Sequence, residues 1–357
     1  MGIEINLLET LKKAIDENAS DVFIVAGLPL SMKVKGEIIK ITPDRLMPDD
    51  TAKIIKEIYE VAKNPNYDRF IETGDADFSF AVPGVGRFRG NTYRQRSSLA
   101  AVLRIISFGL PDPATLSIPP AVIELYKHTK GLILVTGPAG SGKSTTLACI
   151  VNAINESRKG HIMTLEDPIE FIHNHKQSIV SQREIPSDSL TYLQALKSVL
   201  RQSPDVIQIG EMRDIETISI ALTAAETGHL LLSTLHTTGA AKTIDRIVDI
   251  FPPSQQQQIR VQLSMSLRAV VSQQLIPTID KKLAAAFEVM INTTAVSNMI
   301  REGKLHQINS IIHTSGNLGM QTMDSSLVKL VKTGVIDKET AKLYTENEDI
   351  IDRLLAQ

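Results

Sequence analysis

Two hydrophobic periods alternate along the first hundred residues of the chain. Apolar residues at helical spacing cover about 7–15, after a variant capping box formed by Asn6 and Glu9, and again about 49–62. Between and after these helices, apolar-rich runs bounded by turn residues predict strands. The strand-like runs are DVFIVAG, MKVKG, EIIKI, DFSFAV, GRFRGNTY and AAVLRII. We therefore predict a small α+β domain over residues 1–107.

A proline-rich stretch, FGLPDPATLSIPP, follows this domain and interrupts both periods. Proline fixes φ and removes a backbone donor, so neither a helix nor a strand continues easily through such a stretch. We predict a linker over residues 108–120, followed by a second domain over residues 121–357.

In the second domain, buried-type strands alternate with helices. The strands are predicted at 132–136, 161–166, 206–210 and 229–236, and the helices near 144–157, 189–202, 215–226 and 240–249. This alternation predicts an α/β domain with a mostly parallel sheet that is covered on both faces. From about residue 253, after Phe251-Pro252-Pro253, we predict a mainly helical C-terminal part.

Composition restricts the classes of protein that fit this pattern. The 357 residues are 43% hydrophobic, which is enough for two cores, and they include a single cysteine, Cys149. One cysteine excludes an intrachain disulfide and a cysteine-cluster metal site. The net charge of −2 gives no general attraction to nucleic acid, and no apolar run approaches a membrane-spanning length. The first residues also lack the basic region of a signal peptide. We expect a cytoplasmic protein with no nucleic-acid partner and no membrane insertion.

The most specific chemical motif is GPAGSGKST, which lies between a predicted strand and a predicted helix. This P-loop pattern comprises Gly137, Pro138, Ala139, Gly140, Ser141, Gly142, Lys143, Ser144 and Thr145. Glycines let backbone N–H groups approach phosphate oxygens, and the helix N-terminus adds its positive end. We predict that Lys143 reaches the β- and γ-phosphates of ATP and that the Ser144 hydroxyl binds Mg²⁺. Without a ligand, we expect Lys143 to face solvent.

Acidic residues follow two other predicted strands, at the edge of the sheet where the P-loop lies. Ligands of parallel sheets bind outside the carboxyl ends of the strands. There TLEDPIE supplies Glu166, Asp167 and Glu170, and Glu211 directly follows VIQIG, the position of a Walker B acid that supports Mg²⁺. The alternative for each acid is a helix cap or a solvated edge carboxylate.

Two histidines bound the last of the four predicted strands. His236 ends this strand at the phosphate edge, which favours a phosphate sensor over a packing role. His229 lies at the other end, ~23 Å away at ~3.3 Å per residue. Strand geometry alone therefore favours a structural or interfacial role for His229.

Four motifs resemble those of one family in their order and spacing. GPAGSGKSTTL, TLEDPIEFIH, IGEMRDIETISIALTAAETGHLLLSTLHTT and AAKTIDRIVDIFP resemble the Walker A, Asp-box, Walker B and His-box region of the secretion ATPase superfamily. Within it the chain is similar to the PilT-like motors of type IV pili, and ASDVFIVAGLPLSMKVKG and FRGNTYRQR extend the similarity to the N-terminal part. The resemblance implies a small PAS-like α+β domain followed by a RecA-like ATPase domain.

The resemblance also implies roles for the acids and histidines. Glu170 would be the catalytic base that positions water, with Glu166 as the alternative, and Glu211 would support Mg²⁺. His229 would belong to the His box, so a functional role for it becomes as plausible as a structural one.

Three arginines resemble those that reach the γ-phosphate of a neighbouring subunit: Arg104, Arg96 and Arg89. An arginine supplied across an interface stabilises transition-state charge and can be worth ~10³–10⁵ in rate. For each of them the alternative is a surface ion pair.

By resemblance, the chain would form a homohexamer that hydrolyses ATP to retract pili. It would dock peripherally on an inner-membrane platform protein, at the inner face of the cytoplasmic membrane. Ser297 stands where retraction motors have arginine, which departs from the family pattern, whereas GMQTMD at 319–324 agrees with it. An accessory or assembly motor is one alternative. A RecA-like ATPase that depends on nucleic acid is a more distant one.

Overall fold

A computed structural model describes residues 5–106, 109–345 and 348–356. Contacts divide the chain into two compact units, one of Met1–Gly109 with Glu170–Ile172 and one of Leu110–Ile169 with His173–Gln357. The predicted domain boundary at residues 107 and 108 lies outside the described residues and stays a prediction. In the described part of the chain, no helix is long and apolar enough to cross a membrane.

The first unit is an antiparallel sheet with helices on one face. Its elements are α1 (Leu7–Asp16), β1 (Ala19–Ile24), β2 (Pro29–Val34), β3 (Glu37–Arg45), α2 (Pro48–Val61), α3 (Tyr67–Thr73), β4 (Asp75–Val82), β5 (Gly86–Gln95) and β6 (Ser98–Ile106). The described strands are ordered β3-β2-β1-β6-β5-β4. Asn6 caps α1 by accepting from the Glu9 amide, as its capping-box position predicts. Leu11 and Ile58 on the helices pack with Val22, Phe88 and Leu103 on the strands.

The opposite face of this sheet is polar because side chains alternate along each strand. In β5, for example, Phe88 is buried, whereas Arg87 and Arg89 on either side of it are partly exposed. Register brings charged residues of three strands into one row, since Asp21 is paired with Arg104 and Arg104 with Arg89.

The second unit is an α/β layer structure around a mostly parallel sheet. Its helices and strands up to residue 249 are α4 (Pro120–Ile123), β7 (Gly131–Thr136), α5 (Lys143–Ser157), β8 (His161–Glu166), β9 (Ile179–Glu184), α6 (Tyr192–Val199), β10 (Val206–Ile209), α7 (Ile215–Glu226), β11 (Leu230–Leu235) and α8 (Ala240–Asp249). The remaining ones are α9 (Pro253–Ser266), β12 (Leu267–Pro277), β13 (Leu283–Ile291), α10 (Thr294–Glu302), α11 (Ile308–Thr314), α12 (Met323–Lys332), α13 (Lys338–Tyr344) and α14 (Glu348–Leu355), with short 3₁₀ helices at Glu124–Lys127, Leu305–Gln307 and Gly316–Leu318.

The described strands of this sheet are ordered β13-β12-β7-β11-β10-β8-β9, and only β13 pairs antiparallel. The four predicted strands and the four helices that accompany them are all present, which confirms the α/β interpretation. Apolar clusters cover both faces of the sheet, one through Leu134 and Ile207 and the other through Ile133 and Val206. This two-sided burial explains why these strands read as continuous apolar runs.

The prediction of a mainly helical chain after residue 253 is wrong for β12 and β13. Strand β12 lies inside the sheet between β7 and β13, so both of its faces are buried. Periodicity cannot distinguish a short buried strand from a buried helix. Strand β9, at the other edge, was also absent from the predicted elements. Part of the proline-rich stretch packs on this unit, where Ile118 is buried and Pro111 O accepts from Cys149 Sγ at 3.6 Å.

Candidate nucleotide site

The P-loop turns sharply between the end of β7 and the start of α5. Gly137, Gly140 and Gly142 have φ of 142°, 74° and 85°, in the left-handed region that favours glycine. A Cβ at Gly137 would lie 2.1 Å from the Gln273 carbonyl oxygen. Glycine at this position therefore has a steric as well as a conformational cause.

Lys143 does not face solvent as expected, because its side chain is folded back across the loop. The residue is only 8% exposed, and its Nζ donates to Gly137 O at 2.9 Å and to Pro138 O at 2.8 Å. The tight turn brings these carbonyls over the first turn of α5, where the ammonium finds acceptors. An ammonium has three donors, so a phosphate oxygen can be gained by exchanging one of these carbonyls.

Gln273 is a supporting residue that the sequence interpretation missed. It is 4% exposed on β12, its Oε1 accepts from Thr146 Oγ1 at 2.7 Å, and its Nε2 lies 2.9 Å from where a Cβ of Gly142 would be. It thus packs beneath both ends of the loop. The signal for it is the β-branched run AVVSQQ, which the helical prediction overrode.

Sheet order brings the other predicted groups to the same edge. Four neighbouring strands lie in the order β7-β11-β10-β8. The P-loop follows β7, His236 follows β11, Glu211 follows β10 after Gly210, and β8 ends in Glu166. His236 Nε2 lies 3.4 Å from Glu211 Oε2, and Arg213 forms a short ion pair with the other oxygen, Oε1. This hydrogen bond to Glu211 raises the pKa of Arg213.

The three acids of TLEDPIE differ in burial. Glu166 is 9% exposed, and its Oε1 accepts from Thr164 Oγ1 at 2.6 Å and from Gln182 Nε2 at 3.1 Å. Asp167 and Glu170 are exposed. Two carboxylates that are candidates for the same role therefore have different surroundings.

An open cleft of about 750 Å³ lies beside these acids, with Asp167, Glu211 and Arg213 in its lining. Tyr192, from the start of α6, also lines the cleft, and Gly210 leaves space for its hydroxyl. Burial first, and then the nearby carboxylates, raise the pKa of Tyr192, so its phenol stays protonated well above neutral pH. Tyr192 is a second residue that sequence patterns did not single out.

His229 lies apart from this edge. It directly precedes β11 at the opposite end from His236, its Nδ1 lies 3.1 Å from Ala224 O, and its carbonyl accepts from Gly131 N at 2.9 Å. Within one chain it is thus a residue of the strand start, as strand geometry predicted.

The arginines of the first unit fall into two places. Arg104 pairs with Asp21 at 3.0 Å and Arg89 with Asp77 at 3.5 Å, both on the polar face of the sheet. Arg104 keeps 68% of its side chain exposed, although Asp21 is buried. Arg96 lies in the β5–β6 turn with φ of 47°, several residue pairs away from the other two.

The residues at the P-loop fit a nucleoside triphosphate with magnesium. The loop leads into the N-terminus of a 15-residue helix, with Lys143, Ser144 and Thr145 in its first turn. The described residues contain no group of three or more His, Cys, Asp or Glu that could hold a metal by itself. Magnesium typically takes one or two protein ligands together with phosphates and water, and Ser144 and Glu211 are the residues that would supply them.

Known proteins match the chain over nearly its whole length. It is 45% identical to a type IV pilus retraction ATPase, PilT, of Pseudomonas aeruginosa, over 94% of this chain and 97% of that protein. It is 42% identical to a twitching motility protein of Neisseria gonorrhoeae, over 97% and 92% of the two chains. It is also 38% identical to the type IV pilus ATPase PilU of Pseudomonas aeruginosa, over 94% and 88%.

Solved structures agree with this similarity. The crystal structure of the pilus retraction motor PilT with bound ADP has a TM-score of 0.89 and 45% identity, and it covers 98% of this chain and 100% of that one. The DotB ATPase of Legionella pneumophila has a TM-score of 0.79 and 30% identity, over 95% and 96%. The family model for type II/IV secretion system proteins matches residues 2–354. The chain therefore belongs to the family of type II/IV secretion system proteins.

Proposed function

We propose that this chain is a motor ATPase that hydrolyses ATP to drive type IV pilus retraction. The observation that carries the proposal is the convergence of the P-loop, Glu211, His236 and Glu166 at one sheet edge. This occurs in a chain that is 45% identical over nearly its whole length to a pilus retraction ATPase.

In this proposal the P-loop binds the phosphates through its backbone N–H groups. Lys143 exchanges a loop carbonyl for a β- or γ-phosphate oxygen, since its Nζ already lies over the loop. Ser144 and Glu211 would hold Mg²⁺, and the Glu211 carboxylate that would support it is now paired with Arg213. Bound magnesium neutralises charge that develops on the phosphates.

Glu170 is the better candidate for the base that positions water. Glu166 Oε1 already accepts two hydrogen bonds inside the protein, whereas Glu170 is exposed and accessible to water. A general base has to be within hydrogen-bond reach of the proton that it takes. Glu166 then has a structural role in holding β8 and β9 together.

The arginine proposal requires a ring. Arg104 is the leading candidate to reach a neighbour's γ-phosphate, because most of its side chain is exposed in spite of its bond to Asp21. Head-to-tail contacts that close on themselves form such rings, and we propose a homohexamer. Arg89 and Arg96 are weaker candidates, the first because only 43% of its side chain is exposed and the second because of its distance from Arg104. His229 could contribute at the same subunit boundary.

The proposed place of action is the inner face of the cytoplasmic membrane, where the hexamer docks peripherally on a platform protein of the pilus machine. Gene deletion tests retraction directly. Cells without the gene should keep or accumulate surface pili and lose twitching. The wild-type protein should restore twitching, and the Lys143→Ala variant should not. Loss of pili would instead indicate an assembly motor.

An accessory motor is a second candidate, because Ser297 stands where the pattern of retraction motors has arginine. In that case, deletion would weaken retraction without abolishing it. The net charge of −2 disfavours a motor that acts on nucleic acid. ATPase activity of the purified protein should therefore not respond to added DNA or RNA.

A further inference from the structure

The acidic segment, residues 167–173, carries Glu170 and has no helix or strand of its own. No helix or sheet hydrogen bonds hold the backbone of such a segment in place, so its N–H groups need other acceptors. Two of these N–H groups, on Ile169 and His173, lie on either side of Glu170. Both are bonded to side chains of β9, the edge strand of the sheet.

The first acceptor is Glu184. Its Oε2 accepts from Ile169 N at 3.0 Å, and both residues are buried, with exposures of 3% and 4%. A backbone N–H donating to a buried carboxylate is a charge-assisted hydrogen bond and is among the stronger kinds in proteins.

The second acceptor is Gln182, two residues earlier and therefore on the same face of β9. Its Oε1 accepts from His173 N at 2.8 Å, and its Nε2 donates to Glu166 Oε1 at 3.1 Å. One side-chain amide thus joins the far end of the acidic segment to the carboxylate that precedes it. Ser181 and Arg183 point to the other face, and Ser181 Oγ lies 3.0 Å from His161 Nε2.

We propose that Gln182 and Glu184 are positioning residues for Glu170: they hold the backbone on both sides of it and thereby set where its carboxylate lies. This inference rests on the proposed function, in which Glu170 orients the attacking water. A misplacement of ~1 Å in a reacting group can cost ~10²-fold in rate. Their side chains bond to Ile169, His173 and Glu166, and we therefore expect the effect in kcat and not in nucleotide affinity.

The test compares side chains of similar shape that differ in their ability to accept a hydrogen bond. Glu184→Met and Gln182→Met should each lower kcat by ~10- to 10²-fold and leave the Kd of a fluorescent ATP analogue unchanged. Glu184→Gln keeps an oxygen for Ile169 N and should recover most of the loss. Ser181→Ala, which removes a bond from the opposite face of the same strand, should keep wild-type kcat.

A reporter that is independent of hydrolysis separates failure of this inference from failure of the proposed function. The chain contains no tryptophan, so Phe171→Trp places a single indole inside the acidic segment. In that background, Glu184→Met and Gln182→Met should increase acrylamide quenching, whereas Ser181→Ala should not. Unchanged quenching with unchanged kcat would overturn the positioning role. Increased quenching with normal kcat would retain the two β9 contacts and overturn the assigned role of Glu170 in hydrolysis. A Kd that rises in proportion to the fall in kcat would show general damage and would also overturn the inference.

Discussion

The two sheets of this chain carry their charged groups in opposite ways. In the parallel sheet of the second unit, chemical groups follow the strands and meet at one edge, where His236 and Glu211 are in contact. In the antiparallel sheet of the first unit, Arg104 and Arg89 stand within the strands on a polar face. Parallel sheets are covered on both faces and leave only strand ends for chemistry, whereas an antiparallel sheet can present a whole face.

The two arrangements also differ in whether the chain alone assembles the site. The P-loop and its neighbours form a site by topology within one chain. The arginines of the first unit are already paired with Asp21 and Asp77, so they act on a phosphate only by exchanging those carboxylates. The Arg89–Asp77 pair is exposed on both sides, and exposed ion pairs contribute little to stability. Release of Arg104 costs more, because the buried carboxylate of Asp21 then keeps the Ser20 hydroxyl, at 2.8 Å, but loses the guanidinium. Substitutions at each of the two sites test this difference.

The largest effect is expected at the P-loop. Lys143→Ala removes the charge that would lie against the β- and γ-phosphates and should lower ATP turnover by ~10³-fold or more. The rate of phosphate release measures turnover, and a nucleotide-binding assay measures affinity. Lys127→Ala is the control: Lys127 forms an exposed ion pair with Glu124 in the same unit, and this variant should turn over ATP normally. Normal turnover in Lys143→Ala would refute the assigned site.

The next effect concerns the choice between carboxylates. Glu170→Gln should bind ATP normally and lower kcat by ~10²–10³-fold, because an amide cannot accept the proton from water. Glu211→Gln should instead weaken Mg²⁺ binding, so a magnesium titration should show a higher Mg²⁺ concentration at half-maximal rate. An inactive Glu166→Gln together with a normal Glu170→Gln would reverse the assignment.

A smaller and more specific effect tests the arginine of the first unit. Lys143→Ala and Arg104→Ala proteins, each inactive alone, should regain activity when they are mixed into common rings. Random mixing pairs an intact P-loop with an intact neighbouring Arg104 at about a quarter of the head-to-tail interfaces. Native mass spectrometry would establish that mixed rings form. No recovery in such rings would mean that Arg104 acts within its own chain or outside the chemistry.

The smallest effect is on stability and belongs to the second unit alone, since the first unit contains no histidine. Burial lowers the pKa of His173 to about 4, below its value of ~6.5 in an unfolded chain. The unfolded state therefore binds the proton first, and stability present above pH 6.5 is lost as the pH falls toward 4. At pH 5 the loss is roughly 2 kcal/mol for this group. His173→Gln should flatten the fall in melting temperature between pH 7 and 5, and an unchanged slope would contradict this.

Much of the second unit could be predicted from local pattern. GPAGSGKST between a strand and a helix, and acids after TLE and VIQIG, indicate a phosphate edge because strand direction and chain order are both local properties. The missed strands, β9, β12 and β13, have patterns that a helix or a loop could equally produce.

The fold class, the P-loop and the acids that accompany it follow from local sequence pattern. The partners of these residues follow from the folded chain: the loop carbonyls for Lys143, Gln273 beneath the loop, Asp21 for Arg104, and the β9 side chains that hold the acidic segment. Asp21 and Arg104 are 83 residues apart, and Thr146 and Gln273 are 127 apart. Such pairs depend on strand order and register, which are set by packing of the whole unit and leave no periodic signal in the chain.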